Sequence, residues 1–247
     1  MISTTKKSRF GIDFYNGSKD SLITEIRNSI DGPYKYIVTP NINHVVHLKE
    51  NRELRASYAS SKHQICDSRV LLPVLRVLGI KLPEAIPGSD LTNELLLIGN
   101  NEHWSVTVIG GSNSDIQALK DKLQNIKIHH YNPPMGFIDN EQEVLKCIEF
   151  TGKHISNLII FAVGCPRQEI LAHRLHMAGN AKGIGLCVGA SINFMTGSVK
   201  RAPLFMQKTG TEWIYRIIAE PRRLAKRYAV DALKFIPILV AELLERK

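Results

Sequence analysis

The sequence predicts an α/β protein: a Rossmann-like, mainly parallel sheet flanked by helices, followed by a helical C-terminal appendage. Three observations carry that expectation. Nearly continuous apolar runs recur, such as Leu158-Ile159-Ile160-Phe161-Ala162-Val163, and strands covered on both faces look like this. Helix-period segments separate those runs, and alternation of the two implies parallel strands joined by crossovers. From about residue 196 the pattern changes to helical segments dense in charge and aromatics. The boundary expected is therefore a domain of residues 1–195 and an appendage of residues 196–247.

Residues 1–30 read as a small N-terminal element. Strands are expected at 34–40, 63–67, 105–110, 127–131, 158–164 and 183–189. Helices are expected at 45–60, 90–100, 115–124, 141–151 and 168–178. Each strand ends in residues suited to a ligand: Thr39 and Asn41, Asp67, Gly110 and Gly111, Asn132 to Gly136, Gly164 to Gln168, and Gly189 to Asn193. In an open parallel sheet the carboxyl ends form the binding edge, so ligand chemistry is expected there.

The 247 residues carry a net charge of +9, and 44% are hydrophobic. A buried core follows, and disorder does not. Residues 200–247 hold eleven Lys/Arg against five Asp/Glu, so most of the excess charge is local. Arg216, Arg222, Arg223, Lys226 and Arg227 stand among Trp213, Tyr215 and Tyr228, ahead of the apolar run Phe235-Ile236-Pro237-Ile238-Leu239-Val240. Such a tail suits an anionic ligand or a membrane surface, and it also reads as a solvated basic face. The apolar run either lies in a membrane interface or docks onto protein, and Pro237 is expected to kink a helix there.

Cys66, Cys147, Cys165 and Cys187 show neither a CxxC pair nor zinc spacing, so buried thiols in a reducing cytoplasm are expected. The N-terminus has no apolar signal core, and no run reaches the ~20 apolar residues of a spanning helix. A cytoplasmic protein, soluble or peripheral to a membrane, is the expectation.

Gly110-Gly111-Ser112-Asn113-Ser114-Asp115 lets backbone approach a phosphate at a helix N-terminus. It lacks GxGxxG spacing, which disfavours a dinucleotide oxidoreductase. The same turn is also an ordinary strand-to-helix connection with Ser114 or Asp115 as N-cap. Gly164-Cys165-Pro166-Arg167-Gln168-Glu169 opens a helix after the most apolar strand. Gln168 can donate to and accept from a sugar or nucleotide, whereas Glu169 is also explained as a dipole partner. Cys165 has no His placed to activate it and reads as a packed thiol. Asp67 at the binding edge is a candidate general base, and equally a turn residue. His44 and His47 lie three apart without a third metal ligand in view, and no DxD cluster is present, so no metal or cofactor is expected.

In order, Thr39-Pro40-Asn41, Asp67, Gly88-Ser89-Asp90-Leu91, Gly110-Gly111, Gly136-Phe137, Gly164-x-Pro166-x-Gln168-Glu169, Val188-Gly189-Ala190, Arg201-Ala202-Pro203, Glu212-Trp213-x-Tyr215-Arg216, Glu220-Pro221-x-Arg223 and Arg227-Tyr228 resemble the WecG/TagA/CpsF family of bacterial glycosyltransferases. The resemblance covers about residues 10–230. It implies inverting, metal-independent transfer from a UDP-sugar to a polyprenyl-diphosphate-linked saccharide at the inner membrane face, in cell-surface polysaccharide synthesis. It makes 1–195 the catalytic domain and 196–247 a membrane-targeting appendage. By the same resemblance Asp67 is the base, and Arg216 and Arg223, with Arg227 a further candidate, neutralise the leaving diphosphate. Thr39, Asn41, Gly110, Gly111, Gly136, Phe137, Gly164, Pro166, Gln168, Glu169, Gly189 and Asn193 line the substrate site. Two departures bear on sugar identity: Ala85 stands where many members have Arg, and Asn193 where many have Asp. The sugar (N-acetylmannosamine, its uronic acid or glucose), the acceptor and the oligomeric state, a homo-oligomer included, stay open. The competing class is a basic nucleic-acid-binding protein, but no nucleic-acid fold signature is present, so no nucleic-acid partner is expected.

Overall fold

A computed structural model of the chain describes residues 8–245, with the side chain of Arg223 outside that description. Its six strands are β1 (Lys35–Val38), β2 (His63–Gln64), β3 (Ser105–Gly110), β4 (Lys127–Tyr131), β5 (Leu158–Ala162) and β6 (Ile184–Cys187). They form one sheet in the order β2-β1-β6-β5-β3-β4. Every strand pair in it is parallel. The expected mainly parallel α/β sheet is therefore an all-parallel one.

Period-2 alternation divides each strand between two cores. Tyr36, Val38, Ile159 and Phe161 face one layer, in which α2 (Ile42–Glu50), α3 (Arg52–Ser60), α4 (Leu71–Val77), α7 (Glu141–Lys153) and α8 (Arg167–Ala178) bury their apolar sides. Ile37, Val106, Val108 and Ile160 face the other, with α1 (Lys19–Arg27), α5 (Gly88–Asn101), α6 (Asn113–Lys122) and α9 (Ser191–Thr196). Burial on both faces explains why these strands read as unbroken apolar runs. Neighbouring strands β1 and β6 send their following helices, α2 and α9, to opposite faces. A crevice opens where connections diverge in this way.

The segment expected as one helix at 45–60 is two. Asn51 closes α2, and its side chain then accepts from the Leu54 amide to cap α3. The N-cap of α6 is Ser112, accepting from the Asp115 amide at 3.1 Å, rather than Ser114 or Asp115. Pro73 lies in the first turn of α4, where its missing N–H costs no helix bond.

Beyond residue 196 come α10 (Leu204–Thr209), α11 (Glu212–Ala219) and α12 (Pro221–Leu244). α12 packs along α2. Asn43 Nδ2 donates to both Asp231 carboxylate oxygens at 3.1 Å, and Lys234 pairs with Glu50 at 2.7 Å. Phe235 is buried against Phe10, ring centroids 5.7 Å apart. The apolar run is thus divided: Phe235, Ile238 and Leu239 turn to the core, whereas Ile236 and Val240 are exposed. The helix continues through Pro237. Pro237 has no N–H to offer the Leu233 carbonyl, and Leu233 is an exposed position. Phe235→Ala is expected to destabilise the chain by about 3 kcal/mol, read as a lower urea midpoint at unchanged m-value.

Candidate active site

The carboxyl edge of the sheet gathers the sequence-predicted residues in strand order. Asp67 follows β2, Thr39 and Asn41 follow β1, Gly189 follows β6, Gly164 follows β5, and Gly110 and Gly111 end β3. Three strand spacings separate β1 from β3, about 14 Å at ~4.8 Å each, so only an extended ligand touches both ends.

Asp67 is held from three sides. Its own amide donates to the Pro40 carbonyl at 3.1 Å. The Gly88 amide, at the start of α5, donates to Oδ1 at 2.6 Å, and Asn41 Nδ2 to Oδ2 at 3.5 Å. Glycine at 88 eases this approach: a Cβ there would stand 3.1 Å from Val188 Cγ1 and 3.3 Å from Thr39 Cγ2, so those methyls would have to give. Burial pushes the Asp67 carboxyl up. The Gly88 amide, His44, Asn41 and the Arg216 charge pull the other way without cancelling it. A carboxylate raised in this way still has lone pairs free, which suits proton abstraction.

Asn41 is the N-cap of α2, its Oδ1 accepting from the Asn43 amide at 3.0 Å and the His44 amide at 3.4 Å. His44 Nδ1 lies 2.8 Å from that same Oδ1, and its Nε2 lies 3.2 Å from Glu169 Oε1. Gln168 Nε2 donates to Glu169 Oε1 at 2.7 Å, and the Gly189 amide donates to Gln168 Oε1 at 3.0 Å. Gln168 and Glu169 are 2% and 0% exposed. Both side chains are engaged with protein partners at the edge, Gln168 with the Gly189 amide and Glu169, and Glu169 with Gln168 and His44. Thr39 is also buried, its hydroxyl donating to the Cys187 carbonyl at 2.7 Å and tying β1 to β6.

The other expected lining residues stand as follows. Phe137 is a core side chain in the short turn Phe137–Asp139, which Gly136 opens at φ 78°. Asn193 donates to Asp115 Oδ2 at 3.0 Å and to Ser198 at 3.2 Å. With Thr196 on Asp115 Oδ1 at 2.8 Å, it fastens α9 to α6. An Asp at 193 would face Asp115 with like charge, so asparagine fits this neighbour. Gly110 and Gly111 hold φ of 93° and 83°, which suits glycine, and the Gly110 carbonyl accepts from His130 Nε2 at 3.1 Å. Gly164 and Pro166 shape the entry to α8, the Gly164 carbonyl accepting from the Gln168 amide at 3.1 Å.

From the C-terminal helices, Arg216 sits half-buried on α11 with its guanidinium 5.5 Å from the Phe194 ring centre. Arg201 lies over the same ring at 6.0 Å and pairs with Asp90 at 2.5 Å. Asp90 also meets Arg69 at 3.8 Å. Arg227 is exposed, and its charge pulls the Cys165 thiol down against a much larger upward push from burial and Glu169. The predicted Arg223 falls on the undescribed side chain. Ala85 is buried and supplies no cation.

His44, Cys165 and Glu169 offer N, S and O atoms that all lie within 4.8 Å of one another. His47 is not part of this cluster, in which Cys165 and Glu169 join His44. Of two surface depressions of about 580 and 570 Å³, neither has Asp67, Asn41 or Gly88 in its walls, and the second is lined by Pro166 and Arg167 at the entry to α8.

Residues 8–247 match the model of the glycosyl transferase WecG/TagA/CpsF family. The chain belongs to that family. Similar relatives are the N-acetylglucosaminyldiphosphoundecaprenol N-acetyl-beta-D-mannosaminyltransferases of Staphylococcus aureus strains NCTC 8325 / PS 47, COL and MRSA252. Each is 27% identical over 255 residues, covering 99% of this chain and 94% of the relative. This WecG/TagA/CpsF chain is a glycosyltransferase. The family's ordered motifs fall along one sheet edge and the helices over it. Sequence reasoning named Gly88 in a motif and His44 as a possible ligand, but gave neither its place here, Gly88 seating Asp67 and His44 beside Asn41. The signals for them were the Gly88-Ser89-Asp90 motif itself and the Asn41-x-x-His44 capping-box spacing.

Proposed function

We propose that this glycosyltransferase transfers a sugar, with inversion and without a metal ion, from a UDP-sugar to a polyprenyl-diphosphate-linked saccharide. The supporting observation is Asp67: a raised carboxylate, seated by Gly88 and Asn41, within the field of Arg216. In the proposed step Asp67 takes the proton of the acceptor hydroxyl. That oxygen bonds to the anomeric carbon, the bond from that carbon to the diphosphate breaks, and its electron pair leaves on UDP. Arg216, with Arg227 and Arg223 as further candidates, offsets the charge that grows on the diphosphate. Gly110 and Gly111 offer backbone toward the far end of the donor.

The Staphylococcus aureus relatives are named for an undecaprenyl-diphosphate acceptor and an N-acetylmannosaminyl group. N-acetylmannosamine is accordingly the first sugar to test, ahead of its uronic acid and glucose. Among the described residues no helix is long and apolar enough to cross a membrane. α11 and α12 do expose Ile218 (72%), Leu233 (71%), Ile236 and Leu244 beside exposed Arg222, Lys226 and Arg227. That pairing of apolar and basic side chains suits peripheral binding at the inner, cytoplasmic face of a membrane carrying the lipid acceptor.

The test is turnover of several UDP-sugars by purified chain with a polyprenyl-diphosphate saccharide, with and without EDTA. Transfer that survives EDTA is expected, and a strict Mg²⁺ requirement would contradict the arginine mechanism. Thermal stabilisation by UDP, and by neither NAD nor a short oligonucleotide, is expected in the same preparation. Stabilisation by the oligonucleotide alone would favour the nucleic-acid reading instead.

A further inference from the structure

Hydrogen-bond geometry around Asn41 fixes more than a helix cap. Asn41 Oδ1 accepts from the amides of Asn43 and His44 at 3.0 and 3.4 Å, which settles which side-chain atom is oxygen. Its Nδ2 must therefore be the atom facing Asp67 Oδ2. His44 Nδ1, 2.8 Å from an oxygen that has only lone pairs to offer, must carry a hydrogen. The longer approach of the Asn41 amide to the same nitrogen, 3.4 Å, yields to it.

The other ring nitrogen faces Glu169 Oε1 at 3.2 Å. Gln168 is oriented by the Gly189 amide on its Oε1, so its Nε2 donates to that same Glu169 oxygen. One proton then lies between Nε2 and Glu169, whichever of the two atoms holds it. Glu169 is fully buried, and its Oε2 has no hydrogen-bond partner. Its four neighbours Tyr36, Tyr58, Cys165 and Cys187 are all held protonated, pushed up by burial first and by this carboxylate as well.

We propose that His44 is a positioning residue for Asp67: the proton it shares with Glu169 keeps Nδ1 a donor, and that donor locks the Asn41 carboxamide with its N–H turned to the Asp67 carboxylate. The chain Gly189–Gln168–Glu169–His44–Asn41–Asp67 thereby links the crevice floor beside β6 to the base beyond β2. This role rests on the reading of Asp67 as the base. The groups that act on Asp67 are the Gly88 amide from α5, His44 and Asn41 from α2 and the Arg216 charge from α11, and Tyr58 on α3 and the neighbouring Cys66 feel its charge in turn. Losing the His44 contribution shifts the acidic limb of the pH–rate profile upward.

The experiment uses the full chain with ¹⁵N-labelled histidine, assigning His44 by its loss in His44→Gln. Ring ¹⁵N shifts are expected to show Nδ1 protonated. In Glu169→Gln the carboxamide nitrogen, set at the Oε1 position, still donates to Nε2, whereas Gln168 Nε2 loses its acceptor at that shared position. This variant is expected to keep the Nδ1 proton and to hold kcat within about threefold of the native value. Glu169→Leu removes both partners. Its kcat is expected to fall about 10²-fold, its KM for the UDP-sugar to move less than about threefold, and its acidic limb to rise. A bare Nδ1 in the native chain overturns the proposal. So does Glu169→Leu with native kcat and pH profile, or Glu169→Gln as slow as Glu169→Leu with Nδ1 still protonated. If Glu169→Leu does not fold, the native tautomer and Glu169→Gln decide. A chain without sugar-transfer activity would refute the proposed reaction and leave the tautomer result intact.

Discussion

Asp67→Asn is expected to lower kcat by about 10²–10⁴-fold, the range a positioned general base supplies, while UDP still binds. Asparagine keeps an oxygen for the Gly88 amide, which holds Oδ1 at 2.6 Å, so the local backbone survives. It removes the lone pair that accepts the acceptor proton. The native pH profile should show an acidic limb above the ordinary carboxylate range, because burial outweighs the Gly88, His44, Asn41 and Arg216 contributions. Stability runs the other way. A carboxyl whose folded value is raised binds its proton more tightly in the native state, so it supports the fold when protonated and that support is lost as pH rises through the raised value. At neutral pH the ionised Asp67 opposes folding, and Asp67→Asn should melt no lower than the native chain. Retained turnover would remove Asp67 as the base. A clearly lower melting temperature would mean the carboxylate is a structural anchor.

The second large effect is expected from Arg216→Ala, about 10²–10³-fold in kcat if its guanidinium stabilises charge on the departing diphosphate. Arg216 is placed for this by α11, with its cation 5.5 Å from the Phe194 ring centre and its field reaching Asp67. Two readouts separate this role from mere packing. The acidic limb should move to higher pH, since one of the cations that draws the Asp67 carboxyl down is gone. Arg216→Lys should restore only part of the rate, because an ammonium cannot present the planar fork of donors. An Arg216→Ala enzyme with native kcat and an unmoved acidic limb would remove α11 from the chemistry. These point changes are cleaner than deleting the C-terminal helices, which bury Leu224 and Phe235 and whose loss would strip α2 and Phe10 of their cover.

The strands were readable because burial on two faces forces unbroken apolar runs, and Leu158–Ala162 is the plainest case. Their order across the sheet was not, since pairing between β1 and β6 joins residues almost 150 apart that carry no local mark of one another. Asn51 hid the break between α2 and α3, because one side chain can close one helix and cap the next without interrupting the apolar period. α4 was hidden by Pro73, which reads as a breaker but occupies the first turn.

At the site, Asp67 and Asn41 were visible because strand ends of a parallel sheet are where polar residues have a reason to stand. Gln168 and Glu169 were visible as a motif, yet their depth was not. Only the fold shows that Glu169 is fully buried and bonded to His44. Phe137 and Asn193 carry motif positions whose side chains serve the core and Asp115. The partition of the run from Phe235 to Val240 into buried and exposed sides depends on where α2 and Phe10 lie, which no local pattern states.

The most direct measurement is a crystal structure of the full-length chain with UDP bound. The β-phosphate is predicted to sit within hydrogen-bond reach of Arg216, with the Asp67 carboxylate facing the space where the sugar's anomeric carbon would lie. UDP seated with its β-phosphate beyond the reach of both side chains would contradict the account.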